Sequence, residues 1–190
     1  MNMAIMTEVK LRNRVLVIPN DSTVFTNKTG VASAFDMFAG RATEVKNLVA
    51  RLDTMVDDKG RKVCDVSYGV ISTFYGFVPG NYTVMAYDRV MSTPEEYEYV
   101  DSKRGFVEQT SFLCKAFDIV IFCIPKAMFG MFLDRGDIDD GKVIAVTSPD
   151  FKDRCTEREW IFLERTGPRV GASNADEIER LVREVCSTEE

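Results

Sequence analysis

The chain contains no histidine. That absence removes Ser-His-Asp and Cys-His nucleophilic catalysis, histidine-ligated metals and imidazole proton shuttles in one step. Any acid–base chemistry must run through Asp, Glu, Lys, Tyr or Cys, or through groups on the ligand. No two of the five cysteines (Cys64, Cys114, Cys123, Cys155, Cys186) form a C-x-x-C pair, so the spacing names neither a zinc knuckle nor a redox centre. They read as buried free thiols. Long apolar runs are also missing. The longest, Ile119 to Pro125, is far below the roughly 20 residues that a membrane helix needs. Met1 to Lys10 lacks the basic start and apolar middle of a signal peptide. The expected setting is therefore cytoplasmic, with no membrane partner, and residues 1–12 are expected to form a flexible N-terminus. No G-x-G-x-x-G and no G-x-x-x-x-G-K-[ST] occurs, so no cofactor is implied. The acidic stretch Asp134 to Asp140 lacks the spacing and the final Glu of a calcium loop. It reads as a solvated turn, and no metal site is expected.

A basic excess is missing as well. Lys and Arg number 24 against 30 Asp and Glu, a net charge of −6. That balance argues against duplex DNA as a partner. Arg61-Lys62 and Lys103-Arg104 read as solvated faces. What is abundant is apolar: 45% of the residues are hydrophobic and 13 are Phe, enough for one core in a chain of 190 residues.

The pattern along the chain alternates. Arg14 to Ile18 is a short β-branched run and reads as a central first strand. Phe38, Val45, Leu48, Val49, Leu52 and Met55 mark one face of a helix, which Asp57-Asp58-Lys59-Gly60 stops. Val63 to Ile71 reads as a second strand and Tyr82 to Met91 as a short extended segment. Thr93, Pro94 and Glu96 spell an N-cap, a first helical position and a capping box. That helical region is expected to reach about Ala116 with a break near Gly105. Asp118 to Ile124 is a third strand, apolar on both faces, as in a parallel sheet covered on both sides. Lys142 to Val146 is a fourth. Ser173 or Asn174 caps a last helix that buries Ile178, Leu181, Val182 and Val185. The predicted fold is a single three-layer α/β/α domain, residues 1–190, with a mainly parallel central sheet.

Open parallel sheets bind ligands beyond the carboxyl ends of their strands. Here those ends carry Asn20, Asp21 and Ser22; then Ser72, Thr73 and Tyr75; then Lys126; then Thr147, Ser148 and Asp150. Arg169, in the turn before the last helix, could add a cation beside a helix N-terminus. This set could hold a polar small molecule. Ser72, Thr73 and Tyr75 would touch it, with Asn20 and Ser148 on the same rim. Asp21 or Asp88 would act as acceptor or base, and Lys126 or Arg169 would meet a phosphate. Tyr87-Asp88-Arg89 reads more simply as a surface ion pair.

The segment Val70-Ile71-Ser72-Thr73-Phe74-Tyr75-Gly76-Phe77-Val78-Pro79, followed by Ala86-Tyr87-Asp88, resembles an I-S-x-x-Y-G-(L/F)-V-P … Y-D pattern. That pattern belongs to a family of α/β proteins related to the peroxide-stress protein YaaA. It also occurs in a domain of archaeosine tRNA-modifying enzymes that looks like uracil-DNA glycosylase. The Phe117 to Ile121 strand and the Gly167 to Gly171 turn follow in the same order, so the likeness spans residues 14–182 in outline. It implies a pocket for a nucleobase-like or nucleotide-like group. The glycosylase pattern of an Asp near Pro-Tyr and a later His is absent, with Pro19-Asn20-Asp21 only a faint echo. A competing expectation is a non-enzymatic module that works as a homo-oligomer. It rests on Met128, Phe129, Met131 and Phe132 forming an exposed apolar patch.

Overall fold

The computed structural model describes residues 13–22, 25, 30–167 and 169–187. The expected flexible segment 1–12 lies outside them. Five strands run parallel: β1 (Asn13–Pro19), β3 (Cys64–Ser72), β6 (Ile119–Cys123), β7 (Val143–Thr147) and β8 (Ile161–Glu164). A sixth, β4 (Gly76–Pro79), pairs antiparallel with β3. The sheet order is β4-β3-β1-β6-β7-β8. From β1 the chain moves to one side to lay down β3, then crosses to the other side for β6. The strand order therefore reverses between β1 and β6, where open sheets of this kind leave a crevice.

Period-two alternation divides the strands between two cores. Val15, Val17, Ile121, Cys123, Ile144 and Val146 face one layer of helices. That layer holds α1 (Ala34–Met37), α2 (Arg41–Asp53) and α7 (Ala172–Ser187). Leu16, Ile18, Val120, Phe122, Val143 and Ala145 face the other. There lie α3 (Pro94–Arg104), α4 (Phe106–Cys114), α5 (Lys126–Arg135) and α6 (Lys152–Glu157). The three-layer α/β architecture is thus the one the apolar runs predict, since a strand buried on both faces has no polar side to show. No helix among the described residues is long and apolar enough to cross a membrane.

Several elements depart from the sequence reading. The helical pattern read from Phe38 holds one helix, α2, which starts only at Arg41, and the short α1 ends just before Phe38. Gly40 sits at φ 62 between them, and Phe38 is buried outside either helix. Two short strands, β2 (Val31–Ser33) and β5 (Thr83–Met85), pair antiparallel beside the main sheet. β5 lies inside the extended segment expected from Tyr82 to Met91, whereas β2, three residues long, carries no periodicity to read. The strand β4 is an aromatic and glycine stretch that Gln109 of α4 braces. Its Oε1 accepts from Phe77 N at 2.9 Å and its Nε2 donates to Arg104 O at 2.7 Å, so α4 covers the free edge of the sheet. Gly76 is required there, at φ 79 with its Cβ position 2.6 Å from Gln109 Oε1. The helix α5 and the fifth parallel strand β8 were also missed.

Met128, Phe129, Met131 and Phe132 are not an exposed patch. They lie on α5 inside the second core, each at most 5% exposed, with Phe132 against Phe122 and Phe106. This removes the sequence support for an oligomerisation face. A helix in the middle of a three-layer fold can be apolar nearly all round, which looks like an interface until its neighbours are known. The predicted capping box of α3 forms as expected. Thr93 Oγ1 accepts from Glu96 N, and Glu96 Oε2 accepts from Thr93 N. Gly105, left-handed at φ 67, makes the break into α4. Because α7 begins at Ala172, neither Ser173 nor Asn174 is its cap, and Asn174 Nδ2 donates instead to Glu164 O at 2.9 Å. Along the same helix Ile178 and Val182 are fully buried, whereas Val185 is exposed.

Candidate functional site

The β1–β3 ladder does not stop at the end of β1. Asn20 bridges Ile71, and Asp21 N donates to Ile71 O at 2.9 Å. This extension draws Asp21 under the turn that ends β3. Its Oδ2 accepts from Thr73 N at 2.7 Å and from Tyr87 Oη at 2.5 Å. The Tyr87 ring is fixed by Phe25, Phe38, Phe74 and Tyr75, with centroids 5.4 to 6.2 Å away.

Hydrogen-bond accounting orients the protons in this group. Ser72 Oγ accepts from Phe74 N and Tyr75 N at 3.3 and 3.1 Å, which uses its acceptor capacity in a tight turn. Its own proton therefore points at Tyr87 Oη, 2.8 Å away. The phenol in turn gives its proton to Asp21 Oδ2. Burial drives the Tyr87 phenol well above its ordinary range, and the adjacent Asp21 raises it further. The phenol stays a donor at any ordinary pH. Burial also raises the Asp21 carboxyl, against the opposing Thr73 amide and Tyr87 hydroxyl. With Oδ2 doubly engaged, any proton that Asp21 binds must sit on Oδ1. That atom is buried and has no hydrogen-bond partner among the described residues.

Two more oxygens on the rim share this state. Asn20 Nδ2 donates to Asp21 O at 3.0 Å, but Asn20 Oδ1 is buried without a partner. Thr147, the last residue of β7, is 1% exposed and its Oγ1 is also unmatched. Burying such groups unpaired costs about 1–3 kcal/mol each. Water or a ligand must meet them in the working protein.

The cationic part of the rim comes from the loop between β8 and α7. Arg165 N donates to Thr147 O at 2.9 Å, and its guanidinium reaches Ile124 O at 3.1 Å. Glu44, in the first turn of α2, accepts from Arg169 N and Val170 N at 3.1 and 3.4 Å. That brace turns the Arg169 side chain inward, where it is 8% exposed. Its guanidinium has no hydrogen bond or ion pair among the described residues. Burial first, then Arg165 and Arg41, lower its pKa to about 10. Tyr97, on α3, lies within electrostatic reach of Arg169, Asp21 and Arg41 together, which places these groups around one region.

The sequence-derived candidates divide accordingly. Asn20, Asp21, Ser72 and Thr73 meet at the junction of β1 and β3, and Arg169 faces the same rim. Thr73 Oγ1 is committed to Met91 N at 2.8 Å. Tyr75 serves the scaffold, its Oη accepting from Met85 N at 3.1 Å. Lys126 is ion-paired with Asp150, and Ser148 caps the short turn that follows β7. Asp88 is exposed, and Arg89 pairs with Glu96 rather than with it. Sequence reasoning missed Tyr87 as the partner of Asp21, as well as Tyr97, Arg41 and Arg165. Only Tyr87 left a signal, inside the Y-D pair of the quoted pattern. Among the described residues no three acidic or cysteine side chains gather as a metal set.

No family model, no curated protein and no solved structure matches the chain.

Proposed function

We propose that the carboxyl rim of the sheet is a binding site for a small molecule of nucleobase or nucleotide type. The observation that carries this reading is that three of the six buried side-chain oxygens without a hydrogen-bond partner among the described residues, Asn20 Oδ1, Asp21 Oδ1 and Thr147 Oγ1, lie at the carboxyl ends of strands. They come from the ends of β1 and β7, on either side of the strand-order reversal. Left unpaired, each costs the fold about 1–3 kcal/mol, which donors on a ligand would offset. Heterocycle edges and ribose hydroxyls supply the donors that such oxygens lack. The likeness of the Val70 to Pro79 and Tyr87-Asp88 segments to the YaaA-related pattern supports the same ligand class.

Asp21 is the residue on which recognition turns. The Ser72–Tyr87 chain holds Oδ2, so only Oδ1 is left for the ligand. Burial keeps this carboxyl readier to hold a proton than an ordinary one. It can thus accept from a ring N–H when ionised, or donate to a ring nitrogen or carbonyl when protonated.

The test is thermal unfolding of the wild type, Asp21→Asn and Thr147→Val against nucleobases, nucleosides and nucleotides. A ligand present at 100 times its dissociation constant stabilises the native state by about 2.7 kcal/mol. For a chain of this size that is a shift of roughly 5–10 °C. The expected result is a shift selective for one base, reduced in both variants. An equal shift in wild type and Asp21→Asn, or none with any member of the panel, sinks the reading.

A further inference from the structure

The arginines need an explanation that the unpartnered oxygens do not provide. Arg169 is more than nine-tenths buried, yet no carboxylate among the described residues pairs with its guanidinium. The nearest acidic group on its own loop contact, Glu44, is already spent on the Arg169 and Val170 backbone amides. The nearby cations aggravate the imbalance. Arg165 is tethered by Ile124 O, and Arg41 is the first residue of the 13-residue helix α2. A cation at that end of a helix opposes the dipole, whose positive pole also lies there. The 16-residue helix α7 begins three residues after Arg169 and adds a second positive pole. A guanidinium in a largely buried residue, with two more arginines nearby and no ion pair among the described residues, is an arrangement that an anion would offset.

We propose that Arg169, with Arg165 and Arg41, forms a phosphoryl subsite, so that the molecule bound at the rim is a phosphomonoester. This rests on the rim reading above and names the class of its ligand. Guanidinium forks match phosphate oxygens two at a time, and a dianion offsets more of the local positive charge than a carboxylate can. Tyr97 is within electrostatic reach of both Arg169 and Asp21. The phosphate would face the arginines, and the base or sugar would face Asp21 Oδ1. Arg169 is thereby a binding residue whose cost in the empty protein is recovered when the anion arrives.

Calorimetric titration separates the two ideas. Inorganic phosphate, the common nucleosides and their 5′-monophosphates are titrated into wild type, Arg169→Gln and the surface variant Arg41→Gln, each checked for folding by thermal melt. The expected result is a monophosphate that binds wild type roughly 10- to 100-fold more tightly than its nucleoside, as charge-assisted hydrogen bonds allow. The gap should close in Arg169→Gln and narrow in Arg41→Gln, and inorganic phosphate should compete. Equal affinity of nucleoside and monophosphate in wild type overturns the phosphoryl subsite and leaves the rim reading standing. Phosphate binding that is lost in Arg169→Gln, with no nucleoside or monophosphate binding at all, keeps the anion subsite and overturns the nucleotide class. No binding of any probe overturns both.

Discussion

Arg169→Met should make the unliganded protein more stable, an unusual outcome for a buried position. Most substitutions at buried sites destabilise, because they open cavities or strand polar groups. Here the group being removed is a largely buried cation with no ion pair among the described residues. The pKa of Arg169 falls from 12.5 to about 10, so the charged form is less favourable in the folded chain than in the unfolded one. Carried fully into free energy, that depression is about 3 kcal/mol. Part of the guanidinium still touches solvent, so about 2 kcal/mol is the working figure. The sign follows from linkage. A cation whose folded pKa lies below its unfolded value opposes folding wherever it is charged. The penalty is therefore fully present at neutral pH and fades only as pH rises through about 10. Methionine retains the length and most of the aliphatic packing without the charge. For a domain of this size, about 2 kcal/mol corresponds to a rise of roughly 4–8 °C in melting temperature. Calorimetry in a phosphate-free buffer at neutral pH measures it. Adding phosphate should raise the wild type and leave Arg169→Met unmoved. A variant that melts several degrees below wild type would refute the reasoning, since it would mean that the guanidinium is already satisfied in the fold.

Asp21→Asn should likewise stabilise near neutral pH and have no such effect in acid. Burial raises the folded pKa of Asp21, so the stability gained from a neutral side chain grows as pH rises above the unfolded value; melting curves across pH check it, and a pH-independent difference would contradict it. Tyr87→Phe should cost about 1–3 kcal/mol in denaturant titration, because it leaves the Ser72 hydroxyl and Asp21 Oδ2 short of partners inside an intact ring cluster. Phe132→Ala should cost about 3–5 kcal/mol and leave the mass in solution unchanged. A loss of oligomer without loss of stability would instead restore the interface reading of α5. Thr93→Ala should remove about 1 kcal/mol through the capping box of α3 alone.

Much of the fold was legible because its signals are local. The runs at Arg14 to Ile18 and Asp118 to Ile124 are apolar on both sides, and only a sheet covered on both faces accepts that. Thr93, Pro94 and Glu96 specify a helix start through bonds confined to one turn, so no distant residue can overrule them. The rim was legible in part for the same reason. A chain leaving a strand must turn, and Asn20-Asp21 and Ser72-Thr73 have turn chemistry. What the amino-acid order could not reveal is which of those polar groups are spent. Lys126 and Asp88 look as useful on paper as Arg169 and Asp21. Packing ties Lys126 to Asp150 and leaves Asp88 in solvent, while among the described residues it leaves the Arg169 guanidinium without an ion pair and Asp21 Oδ1 without a hydrogen bond. Charge balance is a property of neighbours brought together from residues 21, 41, 97, 165 and 169. The sheet order that gathers them costs nothing visible in any one segment. Composition and periodicity thus determined the layers and the edge at which a site could lie. Only the tertiary structure decided which atoms at that edge remain unpaired, because hydrogen bonding and desolvation are settled between segments, not within them.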